Sequence, residues 1–336
     1  MKKFLLFCCL VFAANAWSAD SGYHIIKRLK VGGEGGWDYL TVDAAARRLY
    51  ISRSTHVMVI DLETDKVVGD IPDTAGVHGI AIAPELNRGF TSNGKADTST
   101  IFDLKTLKVL GEIKTGGNPD AIIYDPLSKK LFTFNGRSKD ATVIDAVSGK
   151  VIKTIPLGGK PEFAAIDGKG KAYVNNEDTN EVIEIDSLKA SVSRRFSLKP
   201  CEEPTGLGLD SERGRVFSGC HNKVMTVLDI KSGRVIATVP IGGNVDGNGF
   251  DAGTGLAFSS NGDGTLSVVR ESSPGKFEVE TVTTQHGSRT MAVDPKTHTV
   301  YLAAAQFTQA AKSIPPGAKQ RPVMVKDSFE VLIVGK

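Results

Sequence analysis

A short strand-like run that ends in aspartate recurs along the chain at a nearly constant interval. Successive aspartates are 42, 42, 41 and 43 residues apart, at Asp61, Asp103, Asp145, Asp186 and Asp229. Paired glycines follow the same period, at Gly116-Gly117, Gly158-Gly159 and Gly242-Gly243. A period of about 42 residues indicates a repeat protein rather than the two separate domains that a length of 336 residues would otherwise suggest.

Each repeat contains four apolar, strand-like segments separated by turn residues. In one repeat these segments lie at 121–124, 130–134, 141–145 and 151–156. Four strands in a unit of about 40 residues are typical of a β-propeller blade, whereas solenoid repeats of similar length are helical. No long segment has the apolar spacing of a helix, so the sequence predicts an all-β propeller of four-stranded antiparallel blades.

Seven innermost strands can be aligned, which predicts seven blades. One residue lies directly before each strand, where the chain passes into the blade: Asp38, His78, Asp120, Glu162, Thr205, Asp246 and Arg289. In a propeller these positions surround one end of the central channel, which we call the mouth. None of the seven residues is apolar.

The last repeat ends after its third strand, whereas the chain begins with a strand that has no blade of its own. Residues 24–31 match the outer-strand pattern of 151–158, including the glycine pair that follows. Pairing this strand with the incomplete last blade removes two exposed sheet edges. We therefore expect both ends of the chain to close the ring.

The repeats resemble those of the YVTN (YncE-like) β-propeller family over nearly the whole chain after residue 16. The resemblance rests on Asn118-Pro119, Asp125-Pro126, Val143-Ile144-Asp145 and Tyr173-Val174-Asn175-Asn176. It implies the propeller fold but no single activity, because the resembled proteins include ligand binders, partner-binding subunits and uncharacterised exported proteins. The sixth and seventh repeats depart from the pattern, with Arg270 and Val334 in place of the aspartate after the third strand.

Residues 1–16 have the features of a signal peptide. Two lysines precede an apolar run at 4–14, and Ala14-Asn15-Ala16 fits a cleavage site. The run is shorter than the about 20 residues that span a bilayer, so a membrane anchor is not expected. We predict a periplasmic or secreted protein whose mature chain, 17–336, is one propeller domain.

The charge balance is nearly neutral. The sequence has 41 basic and 38 acidic residues, and removing the two lysines of the signal peptide leaves 39 against 38. This balance argues against general binding to nucleic acids or membrane surfaces. No later apolar run is long enough to span a bilayer, and we expect a monomer whose partner is a small molecule or another protein.

Cys201 and Cys220 are the two cysteines that remain after the signal peptide. Both are expected at the mouth side of the fifth blade, on neighbouring antiparallel strands, in a compartment where disulfides persist. We therefore predict that they are joined; two separate thiols are the alternative.

The mouth residues include possible metal ligands. Imidazole suits transition metals and carboxylates suit harder cations, so the candidate ligands are His78, Asp38, Asp120, Glu162 and Asp246. Three further histidines map to loops on the same face: His56, His221 and His286. The alternative is a solvated polar opening, because ligands on separate blades lack the close sequence spacing that identifies zinc sites.

Two further mouth residues are candidates for binding an organic ligand. Trp37 can stack on a ring-bearing ligand or fill space at the rim. Arg289 can hold an anion through two parallel hydrogen bonds or pair with a neighbouring carboxylate.

An irregular insertion at about 306–328 separates the second and third strands of the last blade. It contains four cations and one acid. A loop of this length in a compact domain is a lid, a binding loop or a disordered segment, and the sequence leaves these alternatives open.

Signatures of common catalytic sites are missing from the sequence. It lacks a Gly-x-Ser-x-Gly elbow, a His-Glu-x-x-His pair, a phosphate-binding loop and a haem-attachment motif. The leading hypothesis is a non-enzymatic propeller that binds a small ligand or partner protein at the mouth. The alternatives are a lactonase-like hydrolase or lyase, in which a mouth metal polarises a carbonyl, and metal binding without turnover.

Overall fold

The computed structural model describes residues 20–308 and 323–336. Its strands form seven four-stranded antiparallel sheets, and the innermost strands of neighbouring sheets contact one another around a complete ring. The predicted seven-bladed β-propeller is confirmed. The predicted signal peptide, 1–16, and the middle of the predicted long loop lie outside the described residues.

Blades one to six each use four consecutive strands, with the innermost strand first in the chain. Blade one contains β2 (Leu40–Asp43), β3 (Arg48–Ser52), β4 (Val57–Asp61) and β5 (Lys66–Ile71). Blade two contains β6 (Val77–Ala83), β7 (Arg88–Asn93), β8 (Thr98–Asp103) and β9 (Val109–Lys114). Blade three contains β10 (Pro119–Asp125), β11 (Lys130–Asn135), β12 (Asp140–Asp145) and β13 (Lys150–Pro156).

The next three blades repeat this order. Blade four contains β14 (Pro161–Ile166), β15 (Lys171–Asn176), β16 (Glu181–Asp186) and β17 (Ser191–Ser197). Blade five contains β18 (Pro204–Asp210), β19 (Arg215–Cys220), β20 (Val224–Asp229) and β21 (Arg234–Pro240). Blade six contains β22 (Val245–Asp251), β23 (Leu256–Asn261), β24 (Thr265–Ser273) and β25 (Lys276–Thr283).

Blade seven is built from both ends of the chain. Its first three strands are β26 (Met291–Asp294), β27 (Thr299–Ala304) and β28 (Glu330–Gly335). The outermost strand is β1 (His24–Lys30), which pairs antiparallel with β28. The predicted closing strand is therefore confirmed, one residue shorter than the predicted 24–31.

The described residues contain two helices, both short 3-10 turns, at Pro84–Leu86 and Glu177–Thr179. Neither has the length and apolarity needed to cross a membrane.

The hydrophobic core lies between neighbouring blades. Between blades three and four, for example, Phe132 and Val143 belong to the same buried cluster as Val174 and Ile183. Because every sheet buries apolar side chains against the next one, the blades hold one another in register and fix the positions of the loops at the mouth.

The segment between β1 and β2 is fixed by a fully buried arginine. The Arg53 guanidinium donates at 3.0–3.3 Å to three carbonyl oxygens, those of Gly32, Gly33 and Gly35. It also lies 3.7 Å from the centre of the Phe329 ring. Gly35 has a φ of +90°, and a Cβ there would lie 2.4 Å from the Arg53 carbonyl oxygen, so this turn requires glycine.

The mouth residues lie at irregular points of the strand ladders. In blades two to six, the buried Val or Pro that begins the innermost strand pairs with the end of the second strand, and regular pairing resumes two or three residues later. The mouth residue lies inside this bulge, where side chains leave the regular alternation. The prediction that mouth residues directly precede their strands is therefore wrong for His78, Asp120, Glu162, Thr205 and Asp246, each the second residue of its strand.

The other two mouth residues are placed differently. The prediction is also wrong for Asp38 and Arg289, because each lies two residues before its innermost strand, β2 or β26, and these strands are four residues long. In the other five blades, an additional residue pair before the bulge extends the start of the innermost strand. β2 and β26 lack this pair, so Asp38 and Arg289 remain in the preceding loops.

Cys201 and Cys220 form a disulfide, with Cα atoms 5.5 Å apart. Both residues are buried, and the bond joins the loop before β18 to the end of β19. The predicted pairing on the mouth side of the fifth blade is confirmed.

Candidate functional site

A funnel of about 210 Å³ opens at the mouth of the channel. Six predicted residues line it: Asp38, His78, Asp120, Glu162, Asp246 and Arg289. The wall is completed by five residues that sequence analysis did not single out: Tyr39, Phe163, Gly247, Thr290 and Met291. Six of the seven blades therefore contribute to one cavity.

Two of the residues considered for the mouth do not line the funnel. Thr205 is buried, and its hydroxyl donates to the Val245 carbonyl oxygen at 3.1 Å. Trp37 packs against Phe329 and Phe307, with ring centroids 5.2 and 6.0 Å away. Trp37 lines an adjacent apolar cavity instead.

The tightest cluster in the funnel joins Asp38, His78 and Asp120. Nδ1 of His78 lies 2.5 Å from Oδ2 of Asp38, and both side chains are about a quarter exposed. One donor atom from each of the three residues lies within 4.8 Å of the other two. Metal bonds of about 2.0–2.3 Å to nitrogen and oxygen place neighbouring ligand atoms roughly 3–3.7 Å apart, so these side chains must move closer together around a bound ion.

Glu162 has a separate cationic partner that sequence analysis missed. Nζ of Lys160 lies 2.5 Å from Oε1 of Glu162 and also pairs with Glu177. A signal was present in the sequence, because Lys160 directly follows a repeated glycine pair and lies two positions before a mouth residue. Glu162 therefore lies on the funnel wall in contact with the ammonium group of Lys160.

Arg289 forms the ion pair that was the alternative to anion binding in the sequence analysis. Its Nε lies 3.1 Å from Oδ2 of Asp246, while more than half of the Arg289 side chain is exposed. Within residues 20–308 and 323–336, its two Nη groups have no hydrogen-bond partner, so they remain accessible from the mouth.

Three funnel carboxyl groups have raised pKa values, chiefly because of burial. The pKa of Asp120 rises to about 6 and that of Asp246 to about 7, in both cases with the Asp38 charge as the next cause. The pKa of Glu162 rises to about 9, with the Asp120 charge adding to burial. Each carboxyl has a cationic neighbour that opposes the rise, yet burial and like charge prevail.

His78 supplies the opposite charge at the centre of the cluster. Burial lowers its pKa, but the hydrogen bond to Asp38 and the charges of Asp120 and Glu162 together outweigh burial and raise the pKa to about 9. His78 is therefore protonated at neutral pH and acts as a counter-ion for the carboxylates.

An aromatic pair forms part of the funnel wall. Tyr39 stacks on Phe163, with centroids 5.1 Å apart and planes inclined by 18°. Burial and the surrounding carboxylates raise the pKa of Tyr39 well above its usual value, so its hydroxyl keeps its proton. The funnel therefore offers both charged and aromatic surfaces to a ligand.

A second group of possible metal ligands lies outside the funnel. Glu177, Glu203 and His221 also have donor atoms within 4.8 Å of one another, but Glu203 and His221 are exposed. Nδ1 of His221 lies 2.8 Å from Oε2 of Glu203. This rim cluster provides a reference against which a metal site in the funnel can be tested.

Comparisons with known proteins identify the fold. No protein-family model matches the sequence, and neither does any curated protein. A chain of Kuenenia stuttgartiensis hydrazine synthase has a similar structure, with a TM-score of 0.69 and 17% sequence identity, covering 81% of this chain and 94% of that chain. At this identity the likeness shows the fold alone.

Proposed function

We propose that this chain is a small-ligand-binding β-propeller and that its funnel binds a divalent transition-metal ion. The supporting observation is the cluster of Asp38, His78 and Asp120, whose donor atoms lie within 4.8 Å of one another. One imidazole nitrogen with carboxylate oxygens is a mixed donor set that suits Mn²⁺ or Zn²⁺. Ca²⁺ and Mg²⁺ prefer oxygen ligands alone, so His78 favours a transition metal.

The charge of the funnel favours a bound cation. Four carboxyl groups line one small opening, and three of them have pKa values raised by burial and mutual repulsion. A divalent ion replaces the proton of His78 and stabilises the ionised carboxylates, because a nearby positive charge lowers the pKa of an acid. Metal binding therefore releases protons and is stronger at higher pH.

The cluster leaves room for a ligand beside the metal. Three protein ligands leave at least one coordination position for water or a small molecule, as in catalytic rather than structural zinc sites. Glu162 and Asp246 line the same cavity and present polar groups to whatever fills that position. We infer that the metal helps to bind a ligand and does not serve to hold the fold together.

Export and membership of the YVTN-like propellers are part of the same proposal. They are supported by the signal-peptide pattern of residues 1–16, by the Cys201–Cys220 disulfide and by the seven-bladed fold that the resemblance implies. Expression of the full chain in a bacterium with a periplasm tests export. We expect mass spectrometry of the periplasmic protein to find a chain that begins at Trp17, whereas an intact N-terminus in the cytoplasm contradicts export.

A metal-dependent hydrolase or lyase is the second candidate function, and Glu162 favours it. Burial and the Asp120 charge raise its pKa to about 9, so in the metal-free funnel this carboxyl holds a proton more strongly than a free glutamate does. A protonated acid near a metal that polarises a carbonyl can serve as a general acid. Lactone hydrolysis by metal-loaded protein, lost in Glu162→Gln with metal affinity retained, would favour the enzyme; metal binding without turnover of a lactone panel favours the binding protein.

Calorimetric titration of Mn²⁺ and Zn²⁺ into chelator-treated protein tests the metal site. We expect one ion per chain in the funnel of the wild type. His78→Ala and Asp120→Ala should each weaken binding at least about tenfold, since each removes a ligand. His221→Ala is the matched control, because it removes an imidazole that also lies beside carboxylates but outside the funnel.

Thermal denaturation of the same proteins gives a second measurement. Metal at about 100 times its dissociation constant should stabilise the wild type and His221→Ala by about 2.7 kcal/mol. His78→Ala and Asp120→Ala should show much less stabilisation at that concentration. Unchanged affinity in both funnel variants, with loss in His221→Ala, would place the ion at the rim cluster and contradict the proposal.

A further inference from the structure

An apolar cavity of about 390 Å³ lies beside the funnel. Most of its wall consists of Trp37, Phe307 and Met324, with His286 and Arg289 at its polar side. Phe307 is 43% exposed, and Trp37 and Met324 are half-buried. Aromatic and thioether side chains that share one concave, exposed surface are typical of a ligand site rather than of scattered surface residues.

The two cavities share one wall residue. Arg289 lines both the funnel and the apolar cavity. Two residues adjacent in the chain also join the cavities: Trp37 lines the apolar cavity, and Asp38 lines the funnel. A molecule of modest size can therefore contact both cavities at once.

We propose that the funnel and the apolar cavity form one binding site for a small carboxylic acid with an aromatic or alkyl body. The carboxylate lies at Arg289 on the funnel side, and the body lies against Trp37, Phe307 and Met324. This inference rests on the proposed function, because the metal in the funnel provides the second positive charge for the carboxylate.

The charges at the junction select a carboxylate as the head group. The planar guanidinium of Arg289 matches a carboxylate with two parallel hydrogen bonds, and its Nη groups are unpartnered within the described part of the chain. Funnel carboxylates alone would repel an acid. With a divalent ion bound, this repulsion is offset, so acid binding should depend on the metal.

The apolar wall selects the body of the ligand. Trp37 is held by Phe329 on one side and contacts Phe307 on the other, which leaves a rigid aromatic surface at the cavity. Rings and alkyl chains gain free energy on such a surface in proportion to the apolar area that they cover. A short acid such as acetate covers none of it.

Calorimetry with four probes tests this site on chelator-treated and Mn²⁺-loaded protein. The probes are phenylacetate, hexanoate, acetate and phenethylamine. Together they separate the contribution of the carboxylate head group to binding from that of the aromatic or alkyl body. We expect Mn²⁺-loaded protein to bind phenylacetate and hexanoate at least tenfold more tightly than acetate and than the amine. Arg289→Gln should weaken binding of both longer acids at least tenfold.

Phe307→Ala tests the apolar half of the site. It should reduce the preference for phenylacetate over acetate by at least threefold while leaving Mn²⁺ affinity unchanged. Leu127→Ala is the matched control, since Leu127 is an exposed apolar residue outside both cavities, and it should bind all probes as the wild type does.

Each outcome has a separate meaning for the two proposals. Equal binding of acetate and phenylacetate, or tighter binding of phenethylamine, overturns the acid site even if Mn²⁺ binds. Failure of Mn²⁺ to bind the wild type contradicts the proposed function. If the two longer acids then still bind through Arg289 and Phe307, the metal dependence of the acid site is contradicted but its position is not; if they do not bind, the acid site is overturned as well.

Discussion

Four funnel residues hold protons at pH values where isolated side chains of their kind would not. Burial and like charges raise the pKa of Asp120, Asp246 and Glu162, and the Asp38 hydrogen bond together with the surrounding carboxylate charges outweighs burial and raises the pKa of His78. A solvated polar opening would leave such groups near their ordinary values. The raised values therefore follow from the crowding of ionisable groups in one partly buried cavity.

The stability of the chelator-treated protein should fall as pH rises from about 6 to about 9. In each of these groups the pKa of the folded state exceeds that of the unfolded chain, so the folded state binds more protons in this range. Their stabilising contribution is complete below the unfolded values and is lost as pH rises through the folded values, about 6, 7 and 9. Thermal denaturation at several pH values measures this slope.

Glu162→Gln isolates one of these groups. Glutamine does not titrate, so the fall in melting temperature between pH 7 and 9 should be smaller than in the wild type. Glu203→Gln is the control, because Glu203 is an exposed residue of the rim cluster. A slope that is the same in the wild type and both variants would show that funnel protonation is not linked to folding.

The repeat alignment predicted which residues line the funnel. It did not predict all of the contacts that these residues make. Asp38, His78 and Asp120 lie 40 or more residues apart in the chain, but each occupies the same position of its repeat. The contact between Lys160 and Glu162 was missed because the repeat gives the position of Lys160 in the chain but not the direction of its side chain. The cavity that Trp37 lines was not predictable, because the direction of its side chain depends on Phe329, almost 300 residues away.

Among the strands, β1 completes blade seven, because it is the outer edge of a blade whose other strands come from the far end of the chain. Leu29 of β1 packs on the buried cluster that contains Phe329 and Val331, whereas Ile26 is 47% exposed. Ile25 packs on a second buried cluster, which contains Phe258 and Val334, so the strand contacts the cores on both sides of blade seven. The existence of β1 was predictable, because residues 24–31 match the outer-strand pattern of the repeats but have no blade before them.

Leu29→Ala should destabilise the protein by about 1.5 kcal/mol, because it removes part of the apolar contact between β1 and the cluster. For a protein of this size the melting temperature should fall by about 2–4 °C per kcal/mol. Ile26→Ala, at an exposed position of the same strand, should change the melting temperature by less than about 1 °C. Equal effects of the two variants would contradict a stabilising contact between Leu29 and the cluster.

The loop after β1 depends on Arg53. Burial lowers its pKa to about 10, so the side chain stays charged at neutral pH while it binds three carbonyl oxygens. Arg53→Met should cost about 3 kcal/mol, because it leaves those carbonyls without their donor. Arg234→Met, at an exposed position, is the control and should be nearly neutral. Similar denaturant midpoints for the two variants would exclude this role.

No sequence pattern identified Arg53. Its neighbours Ser52 and Ser54 are ordinary residues of a strand end and the following loop, and its partners are backbone carbonyls, which leave no signature in side-chain sequence. Strand positions were predictable because turns and apolar runs repeat. Contacts that occur only once in the molecule, such as those of Arg53, were not predictable from the repeats.

At the scale of the whole molecule, the propeller explains how distant residues form one site. Residues from six blades meet at the funnel, and the closed ring keeps their loops at fixed distances. The fold itself does not specify a ligand, since propellers serve many functions. The proposed function therefore rests on the three-residue cluster and the charges around it, not on the architecture.

Anomalous X-ray diffraction from crystals soaked in a low concentration of Zn²⁺ tests the central claim most directly. It locates the ion without relying on variants or activity. We predict one strong anomalous peak within bonding distance of Asp38, His78 and Asp120. A peak at Glu177, Glu203 and His221 with none in the funnel, or no ordered peak at either cluster, would contradict the account.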